Sequence, residues 1–239
     1  MGWWDQLFGI NTSFKAYTLA HYLPLLIFSV LLWLWIYFSK NWSYKSCKTS
    51  AFLAAIFLEV LVVFHVCVRL CSDDFKAATD LPFHLCNLLT FIVPIALLVN
   101  RSWLNGVLYF WILVGTFQAL LTPDLKEGFP HYIYFRFWTV HAGLVMIVLF
   151  SLARLNWKIE FKHILYAGLF ANIFIGLSFV INYMTGGNYF YSMHKPKAAT
   201  ILDYLGEWPW YLLWGQLVMM GLFAIYYIPI HFYNKYQKK

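Results

Sequence analysis

The sequence has little charge. Asp, Glu, Lys and Arg make up 11% of its 239 residues, whereas roughly a quarter is usual in soluble domains. Hydrophobic residues reach 62% and aromatic residues 22%, and no polar stretch is long enough to form a soluble domain. These values exclude a soluble enzyme and predict a multi-pass, all-α protein of the cell membrane.

Cysteine is also scarce. The four cysteines show no Cys-x-x-Cys spacing, so neither a zinc site nor a disulfide framework is indicated. No metal and no other cofactor is expected. The net charge of +7 needs no nucleic-acid partner, because a basic rim would meet anionic lipid headgroups. The pattern does not predict an oligomeric state.

Apolar runs of about 17 to 25 residues, the length that crosses a bilayer, divide the chain. We predict seven transmembrane helices in one domain covering residues 1–239. They are Leu19–Phe38, Ala51–Leu70, Leu81–Val99, Trp103–Leu121, Tyr132–Ala153, Ile164–Met184 and Tyr211–Phe232.

Basic residues predict the orientation of these helices. Cytoplasmic connections are enriched in Lys and Arg. An outside amino terminus and an inside carboxyl terminus place ten of the 17 basic residues on the inner side. These ten are Lys40, Lys45, Lys48, Arg101, Arg154, Lys158, Lys162, Lys235, Lys238 and Lys239.

Polar side chains that are costly in hydrocarbon gather at the opposite, outer side. The stretch "TDLPFHLCN" brings His84, Cys86 and Asn87 to the mouth of the third helix. Further candidates come from the end of the fourth helix and from the fifth helix. They are Gln118, Asp124, His131, Arg136 and His141.

The longest loop, at about 185–210, also lies on the predicted outer side. Its Gly, Pro and aromatic residues favour an ordered loop over a disordered one, and we expect a folded lid. Its Trp residues, Trp208 and Trp210, would pack over a cavity lined by the second to the fifth helices. The candidate substrate-binding residues of this region are Asn182, Lys195, Asp203, Trp208 and Trp210.

The order of several short motifs resembles a known family. "LPFHLCN", "FQALLTPDL", "FPHYIYFRFWTVHAGL", "NYFYSMHKP" and "ILDYLGEWPWY" are similar, in this order, to YwaF-type integral membrane proteins of Gram-positive bacteria. The resemblance spans roughly Glu59 to Pro229. The chain departs from the family pattern at Glu207, where Pro is expected, and at Val140, where a small residue is common.

The YwaF-type proteins are distantly similar to a vertebrate multi-spanning acyltransferase family that moves acyl groups between phospholipids through a cysteine and a histidine. This likeness implies that Cys86 is a nucleophile and that His141 or His84 is its base. The substrate would be a membrane lipid, either a phospholipid or the acyl chains of a lipoprotein. His84 and Cys86 are two apart, so on one helix they would point in different directions. The base should therefore come from another helix, and His141 matches Cys86 best in depth.

Other interpretations stay open. The alternative for Cys86 is a structural role as a small buried hydrophobic residue. Glu59 and Arg69 are predicted to be structural polar residues of the second helix. A metal-dependent membrane hydrolase would use a cluster of five candidate ligands, although the His-x-x-x-His of such enzymes is absent. Those ligands are Asp80, His84, Asp124, His131 and His141.

A transporter or a substrate-binding membrane subunit is the remaining alternative, with the polar cluster as its ligand pocket. Transporters often contain matching broken helices in two repeats. This chain shows no such repeat, and Pro94 and Pro229 predict only kinks. A transporter needs a path to the inside, whereas an enzyme needs only a site open to lipid.

Overall fold

The computed structural model describes residue 9 and residues 13–71, 75–196 and 201–236. Within these ranges the protein is all-helical, with no strand and one isolated bridge between Ser13 and Glu127. We number the helices α1 to α7 in chain order. They are α1 Leu19–Phe38, α2 Tyr44–Cys71, α3 Leu85–Val99, α4 Ser102–Leu121, α5 Tyr132–Arg154, α6 Lys162–Thr185 and α7 Trp210–Tyr236.

Six of these helices are long and apolar enough to cross a membrane, which confirms a multi-pass membrane protein. The predicted count of seven is not confirmed, because α3 is an apolar helix of only 15 residues. At 1.5 Å per residue it rises about 22 Å, less than the hydrocarbon thickness of about 30 Å. It begins at Leu85 and not, as predicted, at Leu81, because residues 80–84 form turns.

Successive helices run in opposite directions. At one end of the bundle, the ring of His21 near the start of α1 bonds to the carbonyl of Leu120 near the end of α4. The hydroxyl of Tyr134 at the start of α5 donates to the carbonyl of Ala20. We call this the cavity end. At the far end, Arg154 of α5 donates to the carbonyl of Ile36, which lies near the end of α1.

Helices α4 and α5 form the centre of the bundle. More than half of their apolar windows is buried, whereas α1 and α7 are buried only over about a tenth. Helix α4 is interrupted by a π-helical segment, Trp111–Thr116. Short π segments often occur at functional sites, and this one packs against both α3 and α5.

Gly106 permits the close contact of α4 with α6. A Cβ atom at this position would lie 2.3 Å from Cγ of the fully buried His163. We expect Gly106→Ala to lower the melting temperature, because overpacking a core costs about 1–3 kcal/mol.

Gly176→Ala is the matched control for Gly106→Ala. A Cβ atom at Gly176 meets nothing within 4 Å, and alanine is the better helix former by about 1 kcal/mol. Thermal unfolding of the two variants in detergent should show a clear loss only for Gly106→Ala. Equal melting temperatures would contradict the packing described here.

The basic-residue bias predicts that the far end faces the cytoplasm. Cys71 is exposed at the cavity end and Ser46 is exposed at the far end. With Cys67 and Cys86 changed to Ser, a membrane-impermeant maleimide should label Cys71 on intact cells. With Cys71→Ser added, Ser46→Cys should be labelled only after permeabilisation. The reverse pattern would overturn the predicted orientation; Cys47 is buried and should not interfere.

Candidate active site

The segment before α3 is fixed by a carboxylate. Asp80 Oδ2 accepts from Arg69 Nε at 3.2 Å and from the backbone N–H of Lys76 at 2.9 Å. Burial alone raises the pKa of Asp80, but these donors together with the Thr79 hydroxyl lower it below its usual value. The ionised carboxylate therefore stays in the loop, and α3 begins after His84.

Cys86 consequently lies in the first turn of α3. Backbone N–H groups in a first turn have no partner inside the helix and carry partial positive charge. The thiol donates to the side-chain oxygen Oδ1 of Asn87 at 3.9 Å.

A cavity of about 690 Å³ opens beside Cys86. Its walls come from the start of α3, the second half of α4, the first half of α5 and the first half of α7. Most of the lining is apolar, and the polar residues lie mainly on α3, α4 and α5. Seven predicted site residues line it, namely His84, Cys86, Asn87, Gln118, Asp124, Arg136 and His141.

The structure brings Cys86 and His141 together across the cavity. The imidazole of His141 and the thiol of Cys86 both belong to side chains that line this cavity. The His141 Nδ1 lies 2.8 Å from the carbonyl oxygen of Phe137. Because a carbonyl can only accept, Nδ1 carries the proton of a neutral ring, and Nε2 keeps its lone pair. His141 is therefore held in the tautomer that a base requires.

Arg136 and His84 complete the polar cluster around the thiol. The charge of Arg136 acts on both Cys86 and His84. Its Nε is buried without a hydrogen-bond partner. Among the residues that the structure describes, the guanidinium also makes no ion pair, although Glu127 acts on it from a greater distance. An unpaired buried cation is costly, and an anionic ligand would offset that cost.

A strained turn contributes Tyr191 to the same cavity. Phe190 and Tyr191 have φ values of 57° and 52°, a conformation that is uncommon without glycine and that clusters at functional sites. Burial, followed by the Asp124 carboxylate and Cys86, raises the pKa of Tyr191 to about 12. The phenol therefore stays protonated, and it lines the cavity together with Asp124.

The chain matches one known family over nearly its whole length. Residues 16–227 of the chain match the TMEM164 family. The chain belongs to this family. No curated protein and no solved structure gives a significant match. Membership of the TMEM164 family supports a multi-pass membrane protein.

Other predicted site residues of this TMEM164 family member do not reach the cavity. His131 turns back onto its own helix, where Nδ1 accepts from the N–H of Ile133 at 3.1 Å. Lys195 pairs with Glu207 at 3.3 Å, and Asp203 is exposed on the turn Ile201–Tyr204. Local partners and solvent thus hold these three polar side chains away from Cys86.

The tryptophans of the long loop also lie outside the cavity. Trp208 and Trp210 are more than half exposed, and Trp208 Nε1 donates to the carbonyl of Ser192. The loop covers the cavity with other residues, namely Phe190, Tyr191, Pro196 and Leu202. The two indole rings instead face outward, as interfacial aromatic residues of membrane proteins do.

Arg69 and Glu59, the two predicted structural polar residues of α2, differ in their hydrogen-bond partners. Arg69 is bound to Asp80, as described above, and supports the loop before α3. Glu59 is half-buried, and no described residue donates a hydrogen bond to it. A lone carboxylate in a membrane helix is costly unless it is protonated or reaches water.

The predicted metal ligands do not converge. In the part of the chain that the structure describes, no three His, Cys, Asp or Glu side chains are placed to hold a metal ion. Asp80 is engaged by Arg69, and His131 by the N–H of Ile133. The arrangement therefore gives no support to a metal-dependent hydrolase.

Sequence reasoning missed two residues that line the cavity, Thr116 and Tyr191. The signal for Thr116 was weak: Gly115-Thr116 interrupts an apolar run, but a π-helical segment has no recognisable spacing. A Cβ atom at Gly115 would lie 3.1 Å from Cδ2 of Leu85, so this glycine lets α4 approach the start of α3. Tyr191 depends on a turn conformation that only the tertiary contacts reveal.

Asn182 is a buried clamp for the Phe190–Tyr191 turn. Its amide accepts from the N–H of Tyr189 at 2.7 Å and donates to the Tyr189 carbonyl and to Ser192 Oγ. Leaving such buried groups unpaired costs about 1–3 kcal/mol. We expect Asn182→Ala to speed amide hydrogen exchange at residues 186–192.

Asn172→Ala is the matched control for Asn182→Ala. Asn172 makes one bond, to the carbonyl of Gly168 on its own helix. This substitution should leave exchange in the turn unchanged. If both variants behave alike, the clamp assigned to Asn182 is wrong.

Proposed function

We propose that this protein is a membrane acyltransferase that carries an acyl group on Cys86. The acyl donor is a lipid ester, either a phospholipid or a lipoprotein. Support comes from the position of Cys86 and His141 in the walls of one cavity with a largely apolar lining. The sequence resemblance to the vertebrate phospholipid acyltransferase family agrees with this chemistry.

The tautomer of His141 carries the proposal. With Nδ1–H held by the Phe137 carbonyl at 2.8 Å, Nε2 is the nitrogen that can take a proton from the thiol. A thiol with an adjacent base and an oriented imidazole is the arrangement of a nucleophilic catalyst. A purely structural cysteine would need neither feature.

The reaction follows in two steps. His141 Nε2 takes the thiol proton, and Cys86 Sγ forms a bond with the ester carbonyl carbon. The tetrahedral intermediate collapses, the ester C–O bond breaks, and the leaving alcohol oxygen takes the proton from His141. An acceptor alcohol then repeats these steps in reverse and releases the thiol. Water as the acceptor would make the protein a lipid hydrolase.

The cavity has room for such a lipid. Arg136 would bind the phosphate of a phospholipid, because a guanidinium matches phosphate geometry. The acyl chain would pass between α6 and α7, along Ile175, Leu212 and Met219, which line the cavity. Helix α7 is buried over only about a tenth of its apolar window, so a lipid can approach from its side. With the predicted orientation, the cavity faces the outer leaflet.

A transporter has less support. The cavity residues of α5 end at His141, and those of α7 end at Met219. Beyond them the centre of the bundle is filled by fully buried side chains such as Val93, Ile112 and Leu144. The described part of the chain therefore offers a site at one end and no continuous path to the other.

The test uses purified protein in nanodiscs with isotope-labelled phospholipid and a lysophospholipid acceptor. We expect mass spectrometry to find an acyl thioester on Cys86 and label in the acceptor. Cys86→Ala should abolish both. His141→Gln should slow acyl transfer by roughly a hundredfold or more, in line with the usual share of a general base.

Cys67→Ala is the matched control, since this cysteine is exposed on α2 away from the cavity. It should transfer acyl groups at the normal rate. Full activity of Cys86→Ala would eliminate the thioester route. Absence of acyl transfer, together with uptake of a soluble compound into proteoliposomes, would favour transport.

A further inference from the structure

Helix α4 carries an unusual buried hydroxyl in the wall of the cavity. Thr116 is 2% exposed, and its Oγ1 has no hydrogen-bond partner. It lines the same cavity as Cys86 and His141. A buried hydroxyl without a partner is costly, so its retention in this position calls for a physical explanation.

The hydroxyl of Thr116 departs from the usual bonding of helical Ser and Thr residues, and it lies at the end of a π-helical segment. Helical Ser and Thr residues commonly donate to a carbonyl one turn earlier. Three buried or half-buried hydroxyls of this protein do so, at 2.7–2.8 Å, namely Thr90 to Asn87, Ser178 to Ile175 and Thr185 to Ile181. Thr116 ends the segment Trp111–Thr116, whose wider turn changes the register between side chains and carbonyls.

Thr116 belongs to the wall of the cavity that Cys86 and His141 also line. The π-helical segment packs against α3, which carries Cys86, and against α5, which carries His141. Gly115 allows close contact with Leu85, the residue before Cys86. In a cavity with a mainly apolar lining, a preorganised donor aimed at developing negative charge has a large effect.

We propose that Thr116 is a further catalytic residue, whose hydroxyl donates a hydrogen bond to the acyl carbonyl oxygen attacked by Cys86. This assignment rests on the proposed acyl transfer. As Sγ bonds to the carbonyl carbon, the π electrons of the C=O bond move to the oxygen. The Thr116 hydroxyl stabilises that oxyanion until the C=O bond re-forms and the ester C–O bond breaks.

Removal of the Thr116 hydroxyl, which has no hydrogen-bond partner, should not lower the stability of the protein but should lower the rate of acylation. Thr116→Val keeps the shape of the side chain and removes a polar group that has no partner. The variant should therefore melt at the same or a higher temperature. Its acylation should slow by roughly a hundredfold, the usual effect of removing one oxyanion donor. Thr116→Ser should restore most of the rate.

Ser151→Ala provides the matched control. Ser151 on α5 is also fully buried with an unpartnered Oγ, but it does not line the cavity. Its removal should have the same effect on the melting temperature as Thr116→Val. It should leave the acylation rate unchanged.

The experiment measures single-turnover acylation of Cys86 by mass spectrometry, with a phospholipid and, separately, with p-nitrophenyl palmitate as donor. A rate loss in Thr116→Val without a loss of stability supports the assignment. Equal rates for the wild type and Thr116→Val overturn it and leave the acyltransferase proposal standing. If neither donor acylates wild-type Cys86, the proposed function fails, and the assignment of Thr116 fails with it.

Discussion

The ion pair between Arg69 and Asp80 holds the loop that precedes α3. It holds the Asp80 carboxylate in the loop at 3.2 Å from Arg69 Nε, so that this carboxylate does not serve as a helix cap. The hydroxyl of Tyr189 ties the same loop to the long connection by accepting from the N–H of Leu81 and donating to the carbonyl of Ala77. One polar junction thus fixes both the first turn of α3, with Cys86, and the turn that carries Tyr191.

The helices were largely predictable because the bilayer sets the length of an apolar run. Helix α1 has the predicted bounds, and α5 ends one residue later than predicted. Helix α2 begins at Tyr44 and not at Ala51, since its polar first turns carry no hydropathy signal. The late start of α3 was not predicted, because the apolar run begins before the helix and includes the turns at residues 81–84. The π-helical segment was equally hidden, because hydropathy does not distinguish i→i+5 from i→i+4 bonding.

Part of the cavity was predictable for a simple geometric reason. When helices alternate in direction, polar residues near the end of one and the start of the next come to the same end of the bundle. This rule correctly groups Gln118, Arg136 and His141 with Cys86. It fails for side chains with a closer partner, such as His131, which accepts from its own helix. The rule does not apply to loops. In the long loop, hydrogen bonds of Asn182 hold the turn that carries Tyr191.

Buried polar atoms without a hydrogen-bond partner occur both at the cavity, on Thr116 and Arg136, and elsewhere in the described part of the bundle, on Asn105, Trp138 and Ser151. At the far end, Arg154 donates to the carbonyl of Ile36 and to the hydroxyl of Ser39. Protein acceptors therefore satisfy this basic side chain. Arg136, in contrast, has no protein partner at its buried Nε, and Thr116 has none at Oγ1. Both atoms belong to residues that line the cavity. Because water is scarce inside a membrane bundle, a missing protein partner is costly there. A ligand with a carbonyl oxygen and an anionic group would offset this cost at the two residues of the cavity, whereas the unpartnered atoms of Asn105, Trp138 and Ser151 lie away from it.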